Sequence, residues 1–168
     1  GSLSRVVPDL DSASEVYENF IKLGFDGINP MGKNRAEMVY QGKYCRIIRR
    51  ALQKKFSFLP PLKYDYPKVM KHFYMPEDQW NNVFPTLFPQ WDRTPRAGKH
   101  EGIYVNATPQ NFEEHIRGAL QIIRNKPEDK KILFLRSWNE WGEGNYVEPD
   151  SLYGHGFLDA IKNEIKTE

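Results

Sequence analysis

Ile132-Leu133-Phe134-Leu135-Arg136-Ser137-Trp138-Asn139-Glu140-Trp141-Gly142-Glu143-Gly144 joins four consecutive apolar residues to a loop crowded with tryptophan and glutamate. The apolar run does not alternate with polar residues, and that predicts a parallel strand covered on both faces. Open α/β sheets and (β/α) barrels carry their functional groups just beyond the carboxyl ends of such strands. The stretch therefore predicts both an α/β architecture and the place where its chemistry sits.

The neighbouring sequence repeats the pattern. Upstream, Thr108-Pro109 supplies an N-cap and a first-turn proline for a helix striped by Phe112, Ile116, Leu120 and Ile123. Downstream, Phe157, Leu158, Ile161 and Ile165 mark a closing amphipathic helix. Asn82-Val83-Phe84-Pro85-Thr86-Leu87-Phe88-Pro89 reads as a second buried strand running into Gln90-Trp91-Asp92-Arg93-Thr94-Pro95-Arg96. Near the start, Ser12 and Glu15 have capping-box spacing before Val16, Phe20 and Leu23, and Gly24 stops that helix. Phe25 to Pro30 then forms a short strand delivering Asn29 to a loop. A basic amphipathic helix spans Tyr44 to Phe56, with Ile47, Ile48, Ala51, Leu52 and Phe56 at helical spacing among Arg46, Arg49, Arg50, Lys54 and Lys55. A charged outer face on a packed helix is the expected arrangement. Pro67 opens a further short helix that ends before Pro76.

Strands and helices thus alternate from end to end, and one domain over residues 1–168 is expected. The expected fold class is α/β, a partial (β/α)8 TIM-type barrel. Three clear strands, with weaker candidates at Val6-Val7 and Phe56-Ser57-Phe58, are too few for the eight of a full barrel.

Composition narrows the partners. With 24 Lys and Arg against 22 Asp and Glu, the formal charge is +2 and spread along the chain, so no strong field favours nucleic acid. No apolar run reaches the ~20 residues that span a bilayer, so no membrane insertion is expected. Cys45 is the only cysteine and excludes an internal disulfide, in keeping with a reducing, cytoplasmic location. His72, His100, His115 and His155 lack metal-ligand spacing and read as surface residues. Asp9-Leu10-Asp11 has the D-x-D form of some metal sites but is read as helix-cap chemistry. No metal and no cofactor is expected, and neither a phosphate-cradling glycine loop nor a G-x-S-x-G elbow occurs.

What the loop can do follows from its residue types. Glu140, Glu143 and Glu148 lie within nine residues among Trp138, Trp141 and Tyr146. Glycosidic-bond chemistry needs carboxyl groups beside the scissile bond, one to protonate the leaving oxygen and another to act as base or nucleophile. A flat indole buries the apolar C–H face of a sugar ring and leaves its hydroxyls to polar side chains such as Asn139, Asp92 and Arg96. The alternative, indoles plugging a barrel end above solvated glutamates, gives clustered carboxylates no use. The candidate catalytic residues are therefore Glu140 and Glu143, with Trp91, Asp92, Arg96, Trp138, Asn139, Trp141, Tyr146 and Glu148 as candidate substrate-binding residues.

The string Trp138 to Gly144, followed by Val147-Glu148-Pro149-Asp150 and Tyr153-Gly154, closely resembles the WbsX-like family, which is related to glycoside hydrolase family 99. The resemblance extends upstream through Phe88 to Arg96, Thr108-Pro109 and Phe25-Asp26-Gly27, and corresponds to the family's C-terminal half. It implies a (β/α)8 barrel and a glycosyltransferase of O-antigen or capsular polysaccharide synthesis, handling an oligosaccharide or a sugar donor and acceptor. The related hydrolases are retaining endo-mannosidases whose Glu-Trp-x-Glu pair matches Glu140 and Glu143. By that likeness Glu140 activates the sugar 2-hydroxyl as an internal nucleophile, and Glu143 protonates the departing oxygen. A non-catalytic glycan-binding module is the rival from another class. With half of the barrel missing, parallel edges would lie open, and a homodimer covering them or a rearranged sheet is expected.

Overall fold

The computed structural model describes residues 13–56, 58–98 and 102–166. The candidate strand at Val6-Val7, the Asp9-x-Asp11 motif, the Ser12 cap, Ser57 and His100 lie outside them. In chain order the elements are α1 (Ala13–Lys22), α2 (Lys33–Gln41), α3 (Lys43–Lys55), β1 (Lys63–Asp65), α4 (Tyr66–Met70), β2 (Thr86–Leu87) and α5 (Thr94–Ala97). They continue with β3 (Ile103–Val105), α6 (Pro109–Ile123), β4 (Phe134–Leu135), β5 (Asn139–Glu140), β6 (Asn145–Tyr146) and α7 (Gly156–Lys166).

The architecture is mixed α/β with parallel strand pairs. β1 runs parallel to β3 with Lys63 opposite Ile103, and β2 runs parallel to β4 with Thr86 opposite Phe134. A single parallel bridge from Ile28 to Val83 extends the second pair. The Asn29 amide holds that junction by donating to the Phe84 carbonyl at 2.7 Å and to Thr86 Oγ1 at 2.8 Å. The described residues form three two-stranded sheets and no closed barrel.

The expected two-sided burial of Ile132 to Leu135 is corrected. Leu133 and Leu135 turn in against α6 and α7, whereas Ile132 is 42% and Phe134 46% exposed. Helices cover one face only, so a strand of uniform sequence acquires alternating burial. The helix after Thr108 forms as expected: Thr108 Oγ1 accepts from Asn111 N, and Phe112, Ile116, Leu120 and Ile123 are all buried against α7. In α1 Val16 and Phe20 pack against the core as expected, and only Leu23 departs from the expected face. Ala13 and Tyr17 are buried, while Leu23 falls past the helix end, where Gly24 turns at φ +90°, and points to solvent.

Two polar features run against expectation. α2, which sequence periodicity does not mark, buries Glu37 completely; Lys33 Nζ lies 2.8 Å from one of its oxygens and Arg46 Nη2 2.7 Å from the other. Tyr104 donates to the same carboxylate at 3.3 Å. α3 forms where expected but is turned the other way: Arg46 and Gln53 face the body, and Ile47, Ile48 and Leu52 face solvent.

His115 is not a surface residue. It is buried, stacks on Tyr74 at 4.9 Å, and accepts a hydrogen bond from Phe88 N on Nε2 at 3.2 Å. Burial pushes its pKa down to about 3. Asp78, also buried, is pushed up to about 6 by desolvation although it accepts from Met75 N. The two act on stability with opposite signs. Below the ordinary histidine value of 6.5 the unfolded chain takes a proton that His115 refuses, so stability falls by up to about 1.4 kcal/mol per pH unit. The contribution of Asp78 is fully present below the ordinary carboxylate value and is lost as pH rises through about 6. Asp78→Asn removes the compensating effect. From pH 7 to 5 its unfolding free energy is expected to fall about 1 kcal/mol further than that of the parent. Urea titrations at the two pH values check this, and parallel profiles would contradict it.

Candidate active site

The site is built where the segment after β2 meets the segment after β4. Asp92 N donates to the Glu143 carbonyl at 2.9 Å, and Gln90 Nε2 donates to the Tyr146 carbonyl at 3.0 Å. Gly144 makes the approach feasible. It sits at φ +52°, and a Cβ there would lie 2.8 Å from Asp92 N and 2.9 Å from Asp92 O. Gly154, at φ +55°, has open space around it instead. Gly144→Ala is expected to cost about 2 kcal/mol, against about 1 for Gly154→Ala, which bears only the left-handed backbone penalty. Equal losses in thermal unfolding would show that the Asp92 contact carries no energy.

β5 and β6 make a tight hairpin with Asn139 opposite Tyr146 and Glu140 opposite Asn145. Ser137 and Asn145 pin it. The buried Asn145 side chain accepts from Ser137 N at 3.0 Å, its carbonyl accepts from Ser137 Oγ at 2.6 Å, and Ser137 Oγ accepts from Glu140 N at 3.2 Å. This fixes the backbone of Glu140.

Between the hairpin and α5 the two glutamates meet three guanidinium groups. Arg93 Nε lies 3.1 Å from Glu143 Oε1, Arg136 Nη2 3.5 Å from Glu143 Oε2, and Arg96 Nη1 3.9 Å from Glu143 Oε1. The same Arg96 nitrogen is 3.3 Å from Glu140 Oε1, so one guanidinium serves both carboxylates. The glutamates differ in access. The side chain of Glu143 is 12% exposed and that of Glu140 46%.

The aromatic candidates divide. Trp138 and Trp141 are 55% and 48% exposed, large apolar faces open to solvent at the loop. Trp141 stacks on Tyr146 at 3.6 Å and donates from Nε1 to Glu148 at 2.7 Å, so Tyr146 and Glu148 hold the indole. Asn139 is exposed beside them. Trp91 is 5% exposed, with Lys33 Nζ 4.6 Å from its ring centroid and Arg136 5.8 Å from it. It is packed under the site and offers no open face, because its ring fills the space between two cations and Phe88. The Asp92 side chain caps α5 by accepting from Thr94 N at 2.9 Å and Thr94 Oγ1 at 2.6 Å.

Sequence reasoning missed Arg93, Arg136, Ser137, Asn145 and Lys33. Arg93 lies inside the Trp91 to Arg96 segment and Arg136 directly after β4, so position relative to strand ends was an available signal; the pairing with Glu143 was not. Among the described residues no group of three or more His, Cys, Asp or Glu is arranged to hold a metal ion. Among the same residues, no helix is long and apolar enough to cross a membrane.

Two glutamates bridged by an arginine, beside exposed indoles at the end of a parallel strand, define an α/β protein with an aromatic-rimmed loop site of paired glutamates and arginines. The profile of the glycosyltransferase WbsX family matches residues 9–161, and the chain belongs to that family. The protein designated "Uncharacterized protein WxcX" from Xanthomonas campestris pv. campestris strain B100 is 32% identical over 84 residues, which cover 49% of this chain and 12% of that protein. Its counterpart in strain ATCC 33913 matches to the same extent. No solved structure matches the chain.

Proposed function

We propose that the chain carries the acid–base wall of a glycosidic-bond active site, acting in sugar transfer during surface polysaccharide synthesis, of O-antigen or capsule. The observation that carries this reading is Arg96 joined to both Glu140 and Glu143 next to the open faces of Trp138 and Trp141. Membership of a glycosyltransferase family supports an enzyme. Glu140, open to solvent and fixed through its backbone, acts as the base. Glu143, enclosed by arginines, is the proton donor, and its guanidinium partners compensate the carboxylate left after transfer. Trp138 and Trp141 seat the apolar face of a sugar ring.

Hydrolysis of the retaining endo-mannosidase kind uses the same groups and differs in whether water is admitted. A glycan-binding module is the reading from another class, favoured by indoles that are open while Glu143 is already paired. Turnover assays of Glu140→Gln and Glu143→Gln with sugar donors and with oligosaccharides separate these. Transfer products support the proposal, released reducing ends support hydrolysis, and binding without turnover supports the module.

A further inference from the structure

α3 packs with its polar side inward. Arg46 and Gln53, two helical turns apart, face the body, where Arg46 meets Glu37 at 2.7 Å and Gln53 Nε2 donates to the Pro60 carbonyl at 2.7 Å. The opposite side exposes Tyr44, Ile47, Ile48 and Leu52, and Phe56 and Phe58 continue it past the helix end with their rings 5.8 Å apart. Ile48 is 59% and Phe58 76% exposed. Such a contiguous apolar surface on a helix is a contact site rather than ordinary surface. Charge identifies the partner. Besides Arg46, which Glu37 neutralises, residues 44–63 contain five Lys and Arg and no Asp or Glu. A second copy of the chain is disfavoured, because a two-fold interface sets a patch against itself and would bring these cations together with no acid to offset them. A surface both apolar in depth and negative at its boundary satisfies both features, and an amphipathic basic helix lying in the interfacial plane is the structure that uses it.

We propose that α3 and the Phe56-Phe58 extension form a peripheral docking surface for an anionic lipid membrane, with Tyr44, Ile47, Ile48, Leu52, Phe56 and Phe58 entering the headgroup boundary. The helix lies on the bilayer and does not cross it. The inference stands apart from the glycosidic reading, since it uses no residue of the glutamate site.

Cosedimentation of the 168-residue chain with vesicles of equal parts phosphatidylglycerol and phosphatidylcholine tests it. Binding is expected with those vesicles and not with phosphatidylcholine alone, weakening several-fold as salt rises to about 0.5 M. The double variant Ile48→Asp, Leu52→Asp is expected to lower the partition coefficient at least about tenfold. Its urea midpoint should be unchanged, since both side chains face solvent. An environment-sensitive fluorophore on Cys45, the sole cysteine and exposed on this helix, should shift to the blue on vesicle addition. Failure to bind anionic vesicles overturns the proposal, as does binding that the double variant leaves intact. Self-association abolished by the variant, seen by sedimentation velocity, would overturn it in favour of a second copy.

Discussion

Replacing Glu143 with Gln is expected to lower turnover about 10³-fold while changing sugar affinity only a few-fold. Gln has nearly the same shape and retains an oxygen that accepts from Arg93 or Arg136, so the cleft keeps its form. What disappears is the capacity to carry a proton to the leaving oxygen and take one back. An effect of that size on kcat with KM nearly unchanged is the mark of an interaction made only in the transition state. Glu140→Gln is expected to act on the same step. Because Arg96 pairs with both carboxylates, the double variant should lose much less than the product of the single losses. Normal turnover by Glu143→Gln sinks the assignment. Undiminished affinity, with no turnover by the parent on any donor or oligosaccharide, points to the glycan-binding module.

The largest loss of stability is expected at Glu37→Gln, about 3 to 5 kcal/mol. The Glu37 side chain is fully buried, and its partners Lys33 and Arg46 are nearly so, at 8% and 9% side-chain exposure. Removing the shared negative charge leaves two desolvated cations within reach of each other and no counter-ion, a far worse state than the absence of all three. The triple replacement Lys33→Met, Glu37→Leu, Arg46→Met should therefore recover most of the loss in urea unfolding. A Glu37→Gln protein within about 1 kcal/mol of the parent would mean that water reaches the cluster.

The sequence reveals those parts of the fold in which local pattern and tertiary burial agree. α6 is the clearest case, with its Thr108 cap, first-turn proline and four-residue stripe all found in place. α2 was invisible for the opposite reason: Lys33, Asn34, Arg35 and Glu37 form no apolar stripe, and only ion pairs within α2 and to α3, with a hydrogen bond from Tyr104 of β3, make Glu37 a core residue. α3 shows a third situation. Its periodicity announces a helix correctly, but periodicity says nothing about which side meets the body, and here the buried side is the polar one. For the site, Glu140, Glu143, Trp138 and Trp141 were legible because they crowd one short segment. Arg93 and Arg136 were not, since their role is defined by a meeting of segments far apart in the chain. Trp91 misled because an indole in the right segment looks the same in sequence whether it is open or enclosed.

The contact between Gly144 and the Asp92 backbone bears on any attempt to transplant the site. The hairpin from Trp138 to Tyr146 is short and self-contained enough to graft onto another scaffold, but it would arrive with carboxylates and indoles alone. Two of the three arginines, and the ledge of main chain that stops the hairpin from sinking, belong to the segment around Asp92. The smallest portable unit is thus a pair of strand ends held at one fixed spacing, and a recipient scaffold must be chosen for that spacing first.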